Sequence, residues 1–211
     1  MDKVAVGLFA HEEISPDGPF IEELPLSGKK SMAWLLDRIS GIADCVIVVS
    51  RSHGRLESME RIMADDGRFE YKLLIEDSKA ITSMSIAALS GLADEDSMLV
   101  MPTFSPLIPV DVLSLVVELL DGRHAVFVRD RTGGLYKYLF SVRVEEGRNA
   151  FGHLRAKEED LYEIPQQLRR TMTISWTALS TMDPLHLTFF RIRSRLDLPL
   201  GEKMLSRVGG S

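Results

Sequence analysis

The sequence has a single cysteine, Cys45, so no disulfide can form within the chain. Cys45 opens the run CVIVV, a buried-strand pattern in which a thiol packs as a small hydrophobe. Nothing in the sequence points to a histidine partner that would make it a nucleophile. Long apolar runs are also lacking: none reaches the ~18 residues of a membrane-spanning helix. The opening segment MDKVAVGLFA is too short for a secretory signal and carries no cleavage pattern, so a cytoplasmic setting is expected, with no membrane partner. Basic charge is in deficit, with 25 Lys and Arg against 31 Asp and Glu and a formal net charge of −6. That balance argues against a nucleic-acid partner, which asks for a basic face. There is no G-x-x-x-x-G-K-[ST] loop and no G-x-G-x-x-G after the first apolar run, which removes the commonest phosphate-binding signatures.

What is present is an ordinary globular composition, 45% hydrophobic and 27% charged over 211 residues. No repeat, low-complexity run or linker divides the chain, so one domain over residues 1–211 is expected. Five apolar runs read as strands: Val4–Phe9, Cys45–Ser50, Phe69–Ile75, Met98–Met101 and Ala125–Val128. Between them the apolar spacing turns helical. Ser31–Ile39 puts Met32, Leu35, Leu36 and Ile39 on one face, and Leu56–Ala64 follows the same rule. Ser83 can cap a helix through Leu89 that Gly91 closes. Pro109–Leu120 starts with a proline and carries Asp111 where the helix dipole favours an acid. After Val128, RDRTGGLYKYLFSVRV predicts a hairpin turning at Gly133–Gly134, which brings Tyr136–Val144 to an edge region antiparallel. Helical material (Ala150–Lys157, Ile164–Arg170), a TMTISW strand and a C-terminal tail follow. The alternation predicts a three-layer α/β/α sheet, mostly parallel with an antiparallel strand.

Five segments, in order, carry a resemblance. LPLSGKKSMAWLLDRI at Leu24–Ile39 is similar to "L-P-L-x-G-K-P-L-L-x-x-V-L". ADCVIVVS at Ala43–Ser50 is similar to a second strand. LLIEDS, with Asp77, precedes ITSMSIAAL as a strand precedes "G-P-L-A-G-I-x-A-A-L". LVMPTFSPLIPVDVLSLVVELL resembles "L-V-L-P-C-D-M-P-L-L-x-P-x-x-L", and DPLHLTFFRIRSRLDL at Asp183–Leu198 resembles "F-x-N-I-N-T-P-E-D-L". Together they resemble the MobA-like nucleotidyltransferases, the molybdenum cofactor guanylyltransferases and their relatives. The resemblance implies a Rossmann-like fold of glycosyltransferase-A type, nucleotide-diphospho-sugar-transferase-like. It implies transfer of NMP from an NTP such as GTP to a phosphorylated acceptor such as molybdopterin, with Mg²⁺ as cofactor.

The departures fall on the chemistry. Where the resemblance calls for "L-A-G-G-x-S-x-R-M-G" around a triphosphate, this chain reads LFAHEEISPDGPF. Glu12, Glu13 and Asp17 then stand where phosphates would sit, each repelling one at ~5–10 Å by about 1 kcal/mol or less if exposed. The loop lysine falls on Ile21, the magnesium-binding Asp on Phe104, and the paired Asn positions on Arg191 and Arg193. Ligand-binding candidates are therefore Ala10, His11, Asp77, Thr103, Ser105, Arg191 and Arg193, gathered at the strand carboxyl ends where such folds bind ligands.

Each has a plainer role beside the functional one. Arg191 and Arg193 either meet phosphate charge or form a surface basic stretch around Ile192. Asp77 either contacts a ribose or base or caps the next helix. His11 with Glu12 lacks the spaced second ligand a metal site needs, and Asp94-Glu95-Asp96 precedes its strand and reads as a solvated loop. His124, His153 and His186 are isolated. Two functions follow. One is a non-catalytic descendant that keeps the cleft for a small ligand or the scaffold for a protein partner. The other is a divergent Mg²⁺-dependent nucleotidyltransferase acting on a nucleotide.

Overall fold

A computed structural model describes residues 2–10, 19–78, 80–157 and 161–208. The apolar runs become the strands of one sheet: β1 (Val4–Ala10), β4 (Cys45–Ser50), β5 (Glu70–Ile75), β6 (Ser97–Pro102), β7 (Ala125–Arg129), β8 (Leu135–Arg143) and β9 (Thr171–Ile174). Their order is β5-β4-β1-β6-β8-β7-β9. β5, β4, β1 and β6 run parallel as neighbours, with Ala5 opposite Cys45 on one side and Met98 on the other. β1 and β6 are buried along their whole length, as continuously apolar strands covered on both faces must be.

Helices α1 (Ser31–Ile39), α2 (His53–Asp66), α3 (Ile81–Gly91), α4 (Val110–Glu118), α5 (Val144–Lys157), α6 (Ile164–Gln167), α7 (Trp176–Met182) and α8 (Leu198–Val208) complete the chain. α3 packs on α5, while α1 packs on α2 and α4, and α4 meets α7, giving two helical layers with the sheet between them. A short ribbon of β2 (Pro25–Leu26) and β3 (Lys29–Lys30) precedes α1. Ser27 and Gly28 both have positive φ (48° and 82°), the backbone a tight two-residue hairpin demands. The Ser31 hydroxyl donates to the Ile21 carbonyl (2.6 Å) and the Trp34 indole to the Leu26 carbonyl (2.7 Å), locking the ribbon onto α1. No described helix is long and apolar enough to cross a membrane.

Four local expectations need correction. β8 is antiparallel as the Gly-Gly hairpin predicts, but it lies inside the sheet, because β7 pairs with its far side and β9 extends beyond β7. Ser83 does not cap α3; the helix begins earlier, with the Met84 amide already donating to the Ala80 carbonyl (3.1 Å). The turn ahead of it is held by Ser78, whose hydroxyl accepts the Ala80 amide (3.1 Å), so Asp77 does not cap α3 either. The TMTISW strand stops at Ile174, since the Ser175 hydroxyl accepts the Ala178 amide (3.2 Å) and starts α7 there.

Candidate functional site

The carboxyl ends of β1 and β6 are tied together by one arginine. Arg55 lies on α2 at the same helical phase as Met59 and Ile62, so it projects toward the core, where it is 3% exposed. It meets Glu22, 0% exposed, with Nη2 to Oε1 at 2.7 Å and Nε to the two carboxylate oxygens at 3.2 and 3.0 Å. Nη1 donates to the Ala10 carbonyl at 3.3 Å and Nη2 to the Thr103 hydroxyl at 3.5 Å. A buried pair of this kind is tolerated only with such additional hydrogen bonds around it. The arrangement joins the exit of β1, the segment before β2, α2 and the turn after β6.

That turn is LVMPTFSPLI. The Thr103 amide donates to the Phe9 carbonyl (3.2 Å), continuing the β1–β6 pairing by one residue. Phe104 is fully buried and meets Tyr138 edge to face at 5.1 Å between centroids. Tyr136 and Tyr138 share a face of β8 through the two-residue strand period, 5.7 Å apart. The Arg191 guanidinium stands over all three rings, 5.2 Å from Phe104, 5.5 Å from Tyr136 and 5.0 Å from Tyr138. The Ile192 amide donates to the Phe104 carbonyl (2.8 Å), which fixes Arg191 against the turn. The rings continue outward from Tyr136 to Phe189 (5.0 Å), Trp176 (4.7 Å from Phe189) and His186 (4.4 Å from Trp176).

Burial pushes the Tyr136 phenol above its ordinary range, against the opposing charge of Arg191. Ser105 lies on the phenol's side without reaching hydrogen-bond geometry, so the Ser105 and Tyr136 hydroxyls are buried and unpartnered among the described residues. Asp130, at the β7–β8 turn, is held below the usual carboxylate range by the Thr132 hydroxyl (2.6 Å), with burial acting the other way and the Arg191 charge adding to the lowering.

The structure brings Ala10, Thr103, Ser105 and Arg191 to this region of the sheet. Asp77 is exposed beyond β5, and its carbonyl accepts the Arg51 Nε (2.9 Å). Two strands separate β5 from β6, so Asp77 stands roughly 14 Å along the sheet from Thr103 at about 4.8 Å per strand. Arg191 is half-buried on aromatic rings, which overturns the surface reading for it. Arg193 is exposed and fits that reading, its amide donating to Asp197 (2.8 Å) in a capping box with Ser194. His11, Glu12, Glu13 and Asp17 lie outside the described residues.

Asp94-Glu95-Asp96 is more than a solvated loop: Asp96 accepts the Lys3 amide (2.8 Å) and Glu95 the Cys45 thiol (3.1 Å) at the opposite, amino end of the sheet. Cys45 is half-buried, and burial, then the Glu95 contact, pushes its thiol up to about 12.

As a metal site the turn fits poorly. Thr103 and Ser105 offer neutral hydroxyls, the Glu22 carboxylate linked to Thr103 through Arg55 is committed to that guanidinium, and the Arg191 guanidinium stands over Phe104. Among the described residues no group of three or more metal-ligating side chains exists.

With the strand order and the turn after β6 in place, comparison with solved structures decides the fold. Molybdopterin-guanine dinucleotide biosynthesis protein A from Archaeoglobus fulgidus superposes with a TM-score of 0.71 at 17% identity, covering 96% of this chain and 99% of that one. The fold is that of the MobA-like nucleotidyltransferases. A 4-diphosphocytidyl-2C-methyl-D-erythritol synthase from Anaerococcus prevotii gives 0.71 at 11% identity over 97% of this chain and 99% of its own. Rv0371c from Mycobacterium tuberculosis gives 0.62 at 14% over 82% and 88%. Its manganese complex gives 0.57 at 16% over 83% and 88%. No family model and no curated protein matches the sequence. The MobA-like fold therefore persists here at an identity where sequence alone leaves the chemistry open.

The sequence reading missed Glu22, Arg55, Tyr136 and Tyr138. A signal existed for three of them. Arg55 is a cation on the apolar stripe of its helix, and Tyr-Lys-Tyr sets two aromatic rings on one strand face. Glu22 had none, since IEEL reads as an exposed acidic turn.

Proposed function

We propose that the chain is a non-catalytic descendant of the nucleotidyltransferase fold that retains the strand-end crevice for a small ligand or a protein partner. It forms one domain over residues 1–211 and acts in the cytoplasm. The single observation that carries this reading is Phe104. The residue aligned with the family's magnesium-binding Asp is a fully buried ring under the Arg191 guanidinium. A ring there offers no ligand to a cation, and Arg191 supplies charge of the wrong sign for one. The Glu22–Arg55 pair supports the same reading, because the acid that Arg55 links to Thr103 is committed to a structural partner.

Binding and nucleotidyl transfer are separable in this arrangement. Transfer needs charge developing on the α-phosphate and the leaving pyrophosphate to be met by preorganised cations and amides. Thr103 and Ser105 are fully buried, so an anionic ligand would meet this turn through the half-buried Arg191, which can orient it without meeting those requirements. The alternative is a divergent guanylyltransferase-like enzyme passing GMP to a molybdopterin-like acceptor. It draws on the name of the Archaeoglobus fulgidus neighbour and on Arg191 as a phosphate-facing cation.

The test is pyrophosphate release from GTP, ATP or CTP with Mg²⁺ or Mn²⁺ and a molybdopterin-like acceptor. No metal-dependent release is expected. Release that depends on Arg191 would establish the alternative.

A further inference from the structure

Behind the turn after β6, on the helical layer rather than at the strand ends, α1, α4, α8 and the segment following α7 enclose a cavity of about 560 Å³. Its volume falls in the range of small-molecule sites. Val110, Met182, Leu185 and Leu187 line it with apolar surface, and Arg38 and Arg207 line it as well. Val110 and Met182 are among the most exposed large hydrophobic residues described, at 37% and 40%, so the wall lacks a cover within the described chain.

The cavity's formal charges cancel, two arginines against two aspartates, but the guanidiniums are not paired with those carboxylates. The Arg38 Nε is buried with no hydrogen-bond partner among the described residues. Neither Arg38 nor Arg207 takes part in an ion pair among them. Two carboxylates also reach the cavity. Asp183 is committed: its oxygens accept the Leu187 (2.9 Å) and Thr188 (2.7 Å) amides. Asp111 lies in the first turn of α4, where the helix dipole meets its charge, and Pro109 before it provides no side-chain cap. Two guanidiniums with no paired carboxylate among the described residues thus stand beside an exposed apolar surface, with Asp111 the other charge there that no ion pair takes up.

We propose that this cavity binds an amphipathic organic anion: a small molecule with one carboxylate, sulfonate or phosphate head and a short apolar body. The head pairs with Arg38 and Arg207, and the body covers Val110, Met182, Leu185 and Leu187. Apolar burial supplies affinity and the guanidiniums fix orientation and the sign of charge. This site is separate from the strand-end crevice and stands whether or not nucleotidyl transfer survives there.

The probe is 1-anilinonaphthalene-8-sulfonate, titrated into the full chain and then displaced by competitors. Octanoate and octyl phosphate are expected to displace it, the tighter of the two identifying the preferred head. Octylamine, acetate and inorganic phosphate are expected to compete at least tenfold more weakly. Arg207→Gln, a change at an exposed position, and Arg38→Gln should each weaken octanoate about tenfold or more, and Leu185→Trp should abolish displaceable binding by filling the cavity. In amide and guanidinium ¹H–¹⁵N spectra, the Arg38 Nε–H resonance should move with octanoate and stay in place with octylamine. Absent displaceable probe binding, equal competition by octylamine or by inorganic phosphate, or unchanged affinity in folded Arg207→Gln would overturn the proposal.

Discussion

Replacing Arg55 by methionine isolates the contact that organises the strand ends. The side chain keeps its apolar stem and loses three hydrogen bonds to Glu22, one to the Ala10 carbonyl and one to the Thr103 hydroxyl. Glu22 stays at a position with 0% exposure, now without those donors. Removing one member of a buried pair costs about 3–5 kcal/mol, mostly the uncompensated charge left behind. At roughly 2–4 °C per kcal/mol for a chain of this size, Arg55→Met should lower Tm by about 6–20 °C. The assay is urea denaturation followed by circular dichroism, comparing Arg55→Met, Glu22→Leu and the double variant. The double variant should be less destabilised than the two single changes summed, because replacing both charges leaves none unpaired. A single-variant cost below about 1 kcal/mol, as expected of an exposed pair, or strict additivity, would refute the reasoning.

Phe104→Ala should cost about 3–5 kcal/mol in the same assay, through a cavity beneath Tyr138 and Arg191. Arg191→Ala should cost roughly 1–2 kcal/mol by removing a partly desolvated cation from three ring faces, with the loss read by thermal denaturation. Asp183→Ala should cost about 2–3 kcal/mol, since two buried amides lose a charged acceptor. Cys45, its thiol pushed up to about 12, should resist a disulfide reagent at pH 8 in the native state and react quickly in urea. The unfolded thiol ionises near its ordinary 9.0 while the folded one stays protonated, so stability should fall as pH rises from about 9 toward 12, a loss absent in Cys45→Ala.

The sheet was legible because its central strands are buried on both faces and so carry unbroken apolar runs. Val4–Phe9 and Cys45–Ser50 lie within one residue of the observed β1 and β4. Gly133–Gly134 marked its hairpin because Gly133 takes φ of +83°, a conformation few other residues accept. β8's interior position was not legible: the partners β7 and β9 are set by long-range pairing that no local period records. The same limit hid the site. Glu22 and Arg55 are 33 residues apart in sequence, and their pairing depends on where α2 crosses the strand ends. The alternation in Arg191-Ile192-Arg193 marks both arginines as equivalent. The Ile192–Phe104 backbone bond and the Tyr136–Tyr138 face distinguish them, drawing one onto the rings and leaving the other in solvent.

Isothermal titration calorimetry of GTP with and without Mg²⁺ tests the central claim most directly. A site with Phe104 at the metal position and a carboxylate committed to Arg55 should bind the nucleotide no tighter than about millimolar, equivalent to roughly −4 kcal/mol, and Mg²⁺ should not tighten it. A low-micromolar Kd that strengthens with Mg²⁺ and weakens on Arg191→Ala would contradict the account and show that the nucleotidyltransferase site persists with substituted ligands.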